Sequence, residues 1–273
     1  MDVTAAIRDY YDGEVEAEWG RIDNRPEFLI TRRYIGRYVK PGDKVLDIGG
    51  GPGRYALWLA ERGCDVTLVD LSSENVRFAR EKAAALGLPL AALVGDARAA
   101  SEAVGGAFDC VLLMGPLYHL LEESDRVKAV NESLKRLKPG GVLFASFIAL
   151  FAGMIYAMKF APELILDEGE NEFYQTVLHD RNFAGQAFTQ AFFINQKEVL
   201  PFMAQFALEK LHFFGQEGIL SPCEAGIMEK PQAIVDAWID MAVQLAEREA
   251  LLSWAEHLMY VGRKVISQSP SSR

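Results

Sequence analysis

The chain has 273 residues, is half hydrophobic and 24% charged, and carries a formal net charge of −10. That size and composition provide for one large core, or a core with a substantial lid. The acidic balance, with no basic run beyond Lys135-Arg136-Leu137-Lys138, argues against nucleic acid as a partner. Cys64, Cys110 and Cys223 are odd in number and lack CxxC spacing, so they read as free thiols in a reducing cytoplasm. The start, Met1-Asp2-Val3-Thr4, shows neither the basic nor the apolar region of a signal peptide.

Residues 2–38 read as helical, and Pro41-Gly42-Asp43 turns the chain. Short apolar runs then alternate with helices. Lys44 to Ile48 is a strand, Arg54 to Arg62 an amphipathic helix stopped by Gly63, and Asp65 to Asp70 a second strand. Ser72 or Ser73 caps a helix over Glu74 to Leu86, which Gly87 ends. Ala91 to Asp96 and Phe108 to Met114 are the third and fourth strands, Asp125 to Leu137 is a helix, and Val142 to Phe147 is the fifth strand. Strands separated by helices of this length imply right-handed crossovers and a parallel sheet. Residues 148–192 contain no clean strand and many aromatics. A helix near Gln196 to Phe206, a strand near Leu208 to Gly215, a long helix from Pro231 to Glu256 and a strand from His257 to Lys264 complete the pattern.

Val142 to Met158 is a run of 17 residues without a charge. It is just short of a bilayer span, begins as a strand after Pro139-Gly140-Gly141, and has no basic flank, so a buried strand entering a lid helix is expected.

The first strand runs into Asp47-Ile48-Gly49-Gly50-Gly51-Pro52-Gly53 and then a helix. Such a turn brings backbone close to a ligand, and the helix start adds exposed N–H groups. A dinucleotide pyrophosphate or the amino-acid end of S-adenosylmethionine (SAM) suits it. Asp70, 21 residues after Gly49, ends the second strand, where a carboxylate can take both ribose hydroxyls. Asp96 ends the third, within reach of an adenine amine. Gly115-Pro116-Leu117-Tyr118-His119-Leu120 follows the fourth strand, and Leu137-Lys138-Pro139-Gly140-Gly141 introduces the fifth.

In this order and at these distances the set resembles the class I SAM-dependent methyltransferase family, particularly the small-molecule branch with the ubiquinone- and menaquinone-biosynthesis-type enzymes. The resemblance covers 44–147 tightly and 1–43 and 196–264 loosely. It implies that Gly49, Gly51 and Gly53 form the cofactor loop with Asp47 supporting it. Asp70 would hold the ribose with Leu71 against the adenine, Asp96 and Ala97 would hold the adenine ring, and Met114 would contact the methionine end. Tyr11 and Trp19, in an N-terminal segment that caps the cofactor, are candidate cofactor contacts. Met114-Gly115-Pro116-Leu117-Tyr118 departs from the Asn-Pro-Pro-aromatic turn of enzymes that methylate nucleic-acid amines. The ligands of metal-dependent catechol methylation are not evident either.

The expected fold is α/β, a doubly wound Rossmann-like sheet of seven mostly parallel strands. Its last strand is antiparallel, helices cover both faces, and a helical lid is inserted. The expected division is a helical cap (1–43), a SAM-binding core (44–147), a lid that selects the substrate (148–195), completion of the sheet (196–264) and a disordered tail (265–273). The expected reaction is methyl transfer from SAM to a small molecule by in-line displacement, leaving S-adenosylhomocysteine, without a metal. His119 is the candidate base, alternatively a pocket-shaping residue together with Tyr118. His179 is a weaker candidate, and His212 and His257 are structural. The lid aromatics form either an apolar acceptor pocket or the lid's own core. The protein is expected in the cytoplasm, without a membrane span; a homodimer stays open. The rival readings are a non-catalytic SAM-binding protein and an NAD-dependent oxidoreductase.

Overall fold

The computed structural model describes residues 2–21 and 23–266. The chain opens with α1 (Val3–Gly13), α2 (Val15–Arg21) and α3 (Pro26–Ile35). Asp2 caps α1 by accepting the Thr4 N–H at 3.1 Å. Pro26 starts α3, where its missing N–H leaves no bond unmade. There follow β1 (Lys44–Ile48), α4 (Arg54–Glu61), β2 (Asp65–Asp70), α5 (Ser73–Leu86), β3 (Leu90–Val94), α6 (Ala100–Ala103), β4 (Phe108–Leu113), α7 (Glu123–Arg136) and β5 (Leu137–Ala149). The Ser72 hydroxyl accepts the Asn75 N–H at 3.0 Å, which makes Ser72 the cap of α5. The second half holds α8 (Ala152–Phe160), α9 (Asn171–Leu178), β6 (Phe183–Gln186), β7 (Gln190–Ile194), α10 (Gln196–Met203), β8 (Leu208–Gly215), α11 (Glu224–Met228), α12 (Gln232–Leu245), α13 (Glu249–Leu252) and β9 (His257–Lys264).

The main sheet has the order β3-β2-β1-β4-β5-β9-β8. Strands β1 to β5 pair in parallel, and β9 lies antiparallel between β5 and β8. This is the expected seven-stranded sheet. Alternation along each strand divides the core in two. Val45, Leu68, Leu112, Phe144 and Val261 face α3, α4 and α12, whereas Leu46, Val69, Val111, Leu143 and Leu258 face α7 and α10. The chain reverses its winding between β1 and β4, and the crevice beyond their carboxyl ends is where such sheets bind ligands.

Three expectations need correction. The region 148–192 does contain a strand pair: β6 and β7 form an antiparallel hairpin, and β7 extends the sheet by pairing Phe193 with Ile148 and Ile194 with Ala149. β6 has only four residues, alternately half-buried and exposed around Gly185, which is too short a run to be read locally. The helix expected over Pro231 to Glu256 breaks after Leu245, because the Ala246 carbonyl accepts the Gly215 N–H at 3.1 Å instead of continuing the helical ladder. β5 starts at Leu137, earlier than expected, and runs through Pro139-Gly140-Gly141.

The uncharged run is divided between β5 and α8, and no helix among the described residues is long and apolar enough to cross a membrane. The tail expected to fray lies outside the described residues from position 267 onward.

Candidate active site

The crevice above β1 and β4 holds a cavity of about 280 Å³. Its floor is the glycine turn. Gly49 donates its N–H to the Val69 carbonyl at 2.7 Å. It has φ +73°, and a Cβ there would lie 2.6 Å from Pro116 Cγ, so only glycine lets this turn pass under the loop after β4. Gly51 donates its N–H to Asp70 Oδ2 at 2.8 Å. Gly53 departs from its expected role. It does not line the cavity but caps α4, with φ +89° and Ala79 only 3.1 Å from where its Cβ would be. Its lack of a side chain serves helix-on-helix packing.

Two carboxylates lie under the turn. Asp70 also accepts the Ser72 N–H at 2.9 Å and the Asn75 amide at 3.3 Å. Burial raises its pKa and these bonds offset part of the rise. Asp47 is 1% exposed, and neither carboxylate oxygen has a hydrogen-bond partner among the described residues. Burial, and then the charge of Asp70, push it up to about 7. Two acids close together, one of them orphaned, give this floor a strong demand for a cationic hydrogen-bond donor.

Leu71, Asp96, Ala97 and Met114 all line the cavity. Asp96 is already engaged: Arg98 Nε donates to its two oxygens at 3.0 and 3.1 Å. Burial works to raise Asp96, but these bonds hold its carboxyl below the usual value. Arg98 also reaches Asp125 at 3.0 Å and the Thr4 hydroxyl at 3.0 Å, tying this wall to α1. A second tie runs from Asp12, whose carboxylate accepts the Ser72 hydroxyl at 2.5 Å and the Glu74 N–H at 3.2 Å. So α1 closes over the crevice.

Tyr11 and His119 meet in this closure. The Tyr11 hydroxyl bonds His119 Nε2 at 2.7 Å, and His119 Nδ1 faces the Gln190 carbonyl at 3.0 Å. A carbonyl only accepts, so Nδ1 carries the proton and Nε2 accepts from Tyr11. Burial pushes His119 down to about 4. Both ring nitrogens are engaged, and the ring joins α1, the loop after β4 and β7. Tyr118 lines the cavity beside it. Trp19, expected at the cofactor, is not among the lining residues. It packs against Phe78 at 5.4 Å and lies under the Arg54 guanidinium at 3.5 Å.

Of the two expectations for the lid aromatics, the lid's own core is the one their packing matches. No residue from 148–195 lines the cavity. Phe173, Phe183 and Phe193 pack on one another at 5.3 to 5.8 Å, forming the lid's own core with Ile148 and Ala152. His179 is exposed and bonds only the Gln175 carbonyl, at 2.7 Å. Among the further lining residues, Glu18 and Arg21 of α2, Glu27 of α3, Tyr55 of α4, Ser146 of β5 and Gln216 carried no sequence signal. His257 is not a passive strand residue. Its Nδ1 bonds Glu217 at 2.6 Å and lies 4.0 Å from Glu27. Burial disfavours its charge, but these two carboxylates overcome that and raise it to about 9.

Residues 45–141 match a family model described as a methyltransferase domain. The ubiquinone biosynthesis O-methyltransferase of Pectobacterium atrosepticum is 36% identical over 141 residues, which are 49% of this chain and 56% of that protein. The match thus spans about half the length of that curated relative. Among solved structures, the 1,6-didemethyltoxoflavin-N1-methyltransferase of Burkholderia thailandensis superposes with a TM-score of 0.57 at 17% identity, covering 96% of this chain and 88% of that one. The magnesium protoporphyrin IX methyltransferase of Synechocystis gives 0.57 at 13% identity, covering 97% and 98%.

Proposed function

We propose that this chain, whose residues 45–141 form a methyltransferase domain of the class I SAM-dependent kind, methylates a small-molecule acceptor at the cavity above β1 and β4. The observation that carries the reading is the orphaned carboxylate of Asp47 beside Asp70 beneath the glycine turn. A dinucleotide would bring a pyrophosphate, an anion, against two acids. SAM brings an α-ammonium group and a sulfonium, both of which this floor attracts. The residues therefore fit SAM and disfavour the NAD reading.

Bound SAM supplies an activated methyl group, whose carbon–sulfur bond breaks toward sulfur as the acceptor's lone pair forms the new bond. The chain's work is to bind, orient and exclude water. Asp47 accepts from the ammonium, the Gly49–Gly51 backbone approaches the methionine end with Met114 beside it, and Asp70 takes the ribose hydroxyls. Leu71 and Ala97 flank the adenine, with Asp96 at its edge. Tyr11 and His119 hold α1 shut over the crevice, and this favours a latch over a base for His119: a ring that accepts from Tyr11 and titrates near 4 is a poor proton acceptor at neutral pH. The similarity to a ubiquinone biosynthesis O-methyltransferase supports oxygen as one acceptor atom.

Calorimetry with SAM, S-adenosylhomocysteine and NAD tests the cofactor, and transfer of radiolabel from methyl-labelled SAM to phenols, thiols, amines and quinols tests the activity. Binding of both SAM and its product, with label in an acceptor, is expected. Binding of NAD alone would overturn the reading, and cofactor binding without transfer to any acceptor would favour a binding module.

A further inference from the structure

Glu18, Arg21, Glu27 and Tyr55 wall a part of the cavity that the cofactor reading leaves unassigned. Arg21 holds two carboxylates at once: Nε donates to Glu18 Oε2 at 3.0 Å and Nη1 to Glu27 Oε2 at 3.0 Å. Each carboxylate thus spends one oxygen on Arg21, and its Oε1 takes no side-chain partner among the described residues. His257, bonded to Glu217 at 2.6 Å, lies 4.0 Å from the same Glu27 Oε2, so Arg21 and His257 both face one oxygen of that carboxylate.

An independent observation points into the same space. Tyr55 is 7% exposed, and its hydroxyl has no hydrogen-bond partner among the described residues. Burial raises the Tyr55 hydroxyl well above its usual value and the Glu27 carboxylate adds to the rise, while the neighbouring Thr31 hydroxyl, outside full hydrogen-bond geometry, offsets part of it. A buried hydroxyl without a partner is costly, and native proteins reserve such groups for a ligand or water.

We propose that Glu27, positioned by Arg21, and the Tyr55 hydroxyl form the acceptor-recognition end of the cavity, and that they select a small polar acceptor offering an O–H or N–H donor rather than one with a lipid tail. This rests on the methyltransferase reading. The free oxygen of Glu27 receives the donor, and Tyr55 bonds the acceptor's heteroatom or a neighbouring polar group. An alkyl chain in the same space would strip water from the Arg21 ion pairs and leave both groups unmatched. A site built to bond a donor rejects the analogue that lacks it far more strongly than an apolar pocket distinguishes one chain length from another. The residues are recognition and positioning groups; the role does not require Glu27 to take a proton.

The test uses the full chain loaded with S-adenosylhomocysteine and calorimetry with three probes. These are 4-aminophenol, 4-methoxy-N,N-dimethylaniline (the same ring without donors) and 4-(decylamino)phenol (donors with a tail). The expected result is binding of 4-aminophenol, with each of the other two weaker by about tenfold or more. Glu27→Gln and Tyr55→Phe should each weaken 4-aminophenol by about tenfold while S-adenosylhomocysteine affinity stays within about twofold, and Glu27→Asp should recover part of the loss. Retained S-adenosylhomocysteine affinity also certifies that each variant is folded. The proposal is overturned if 4-aminophenol does not bind, if the donor-free ring or the tailed probe binds as well, or if both variants bind like the original. Failure of S-adenosylhomocysteine itself to bind would instead sink the methyltransferase reading.

Discussion

Asp47→Asn should make the empty protein more stable while weakening its hold on the cofactor. Asp47 is 1% exposed, and burial together with the Asp70 charge lifts its carboxyl from 3.8 to about 7. The folded state then binds more protons than the unfolded state between those values. Stability is therefore greatest on the acid side and declines as pH rises from about 4 through 7, the reverse of an ordinary salt-bridged acid. The full decline corresponds to about 4 kcal/mol. Asn has nearly the same shape and no charge, so it removes that penalty. Its amide enters a site with no protein partner, which costs about 1–3 kcal/mol. The net expectation is about 1–3 kcal/mol of added stability at pH 8. Below pH 5 the gain disappears and the variant is less stable than the original chain. Urea unfolding of both proteins at pH 5 to 8, with and without S-adenosylhomocysteine, measures this. Cofactor should stabilise the original chain more than the variant, because the ammonium loses its carboxylate. Parallel pH profiles for the two chains, or equal stabilisation by S-adenosylhomocysteine, would refute the argument that an orphaned charge sits beneath the glycine turn.

Asp70→Ala should weaken SAM binding by about 1.5–3 kcal/mol if Asp70 takes the ribose hydroxyls as proposed, since it also leaves the Gly51 and Ser72 N–H groups without their partner; calorimetry checks this. Gly49→Ala should lower the unfolding midpoint and reduce cofactor affinity, from about 1–2 kcal/mol of left-handed backbone strain plus the collision with Pro116. For His119, titrating near 4, the activity profile between pH 5.5 and 8 should be the same in His119→Gln as in the original chain, scaled down; loss of an ascending limb in that range would restore the role of base. His257, raised to about 9, contributes stability that is complete below its unfolded value near 6.5 and lost as pH rises through 9. His257→Asn should therefore destabilise the fold by about 3 kcal/mol at pH 6 and much less at pH 10, in paired denaturation curves.

The sequence by itself determined the seven-stranded part of the sheet, though not the β6–β7 hairpin that extends it. Its strands are short apolar runs bounded by turn residues, and the caps at Ser72 and Gly87 act within one turn of the chain, so their physics is local. The same holds for the glycine turn and for Asp70, because a parallel sheet puts the ends of successive strands at one edge. Tertiary structure decided what local pattern cannot encode. Gly53 is a glycine because Ala79, on another helix, packs against it. Trp19 turned toward Arg54 and Phe78, away from the cavity. In the Tyr11–His119–Gln190 chain the first bond joins groups 108 residues apart and the second 71. Glu18, Arg21 and Glu27 reach the cavity from helices before the sheet and Tyr55 from α4, whereas the rings of the aromatic lid close on one another. Arg21 and Glu27 carried no sequence signal. Only the folding of α2 and α3 over the β1–β4 crevice brings them to the same cavity as Tyr55.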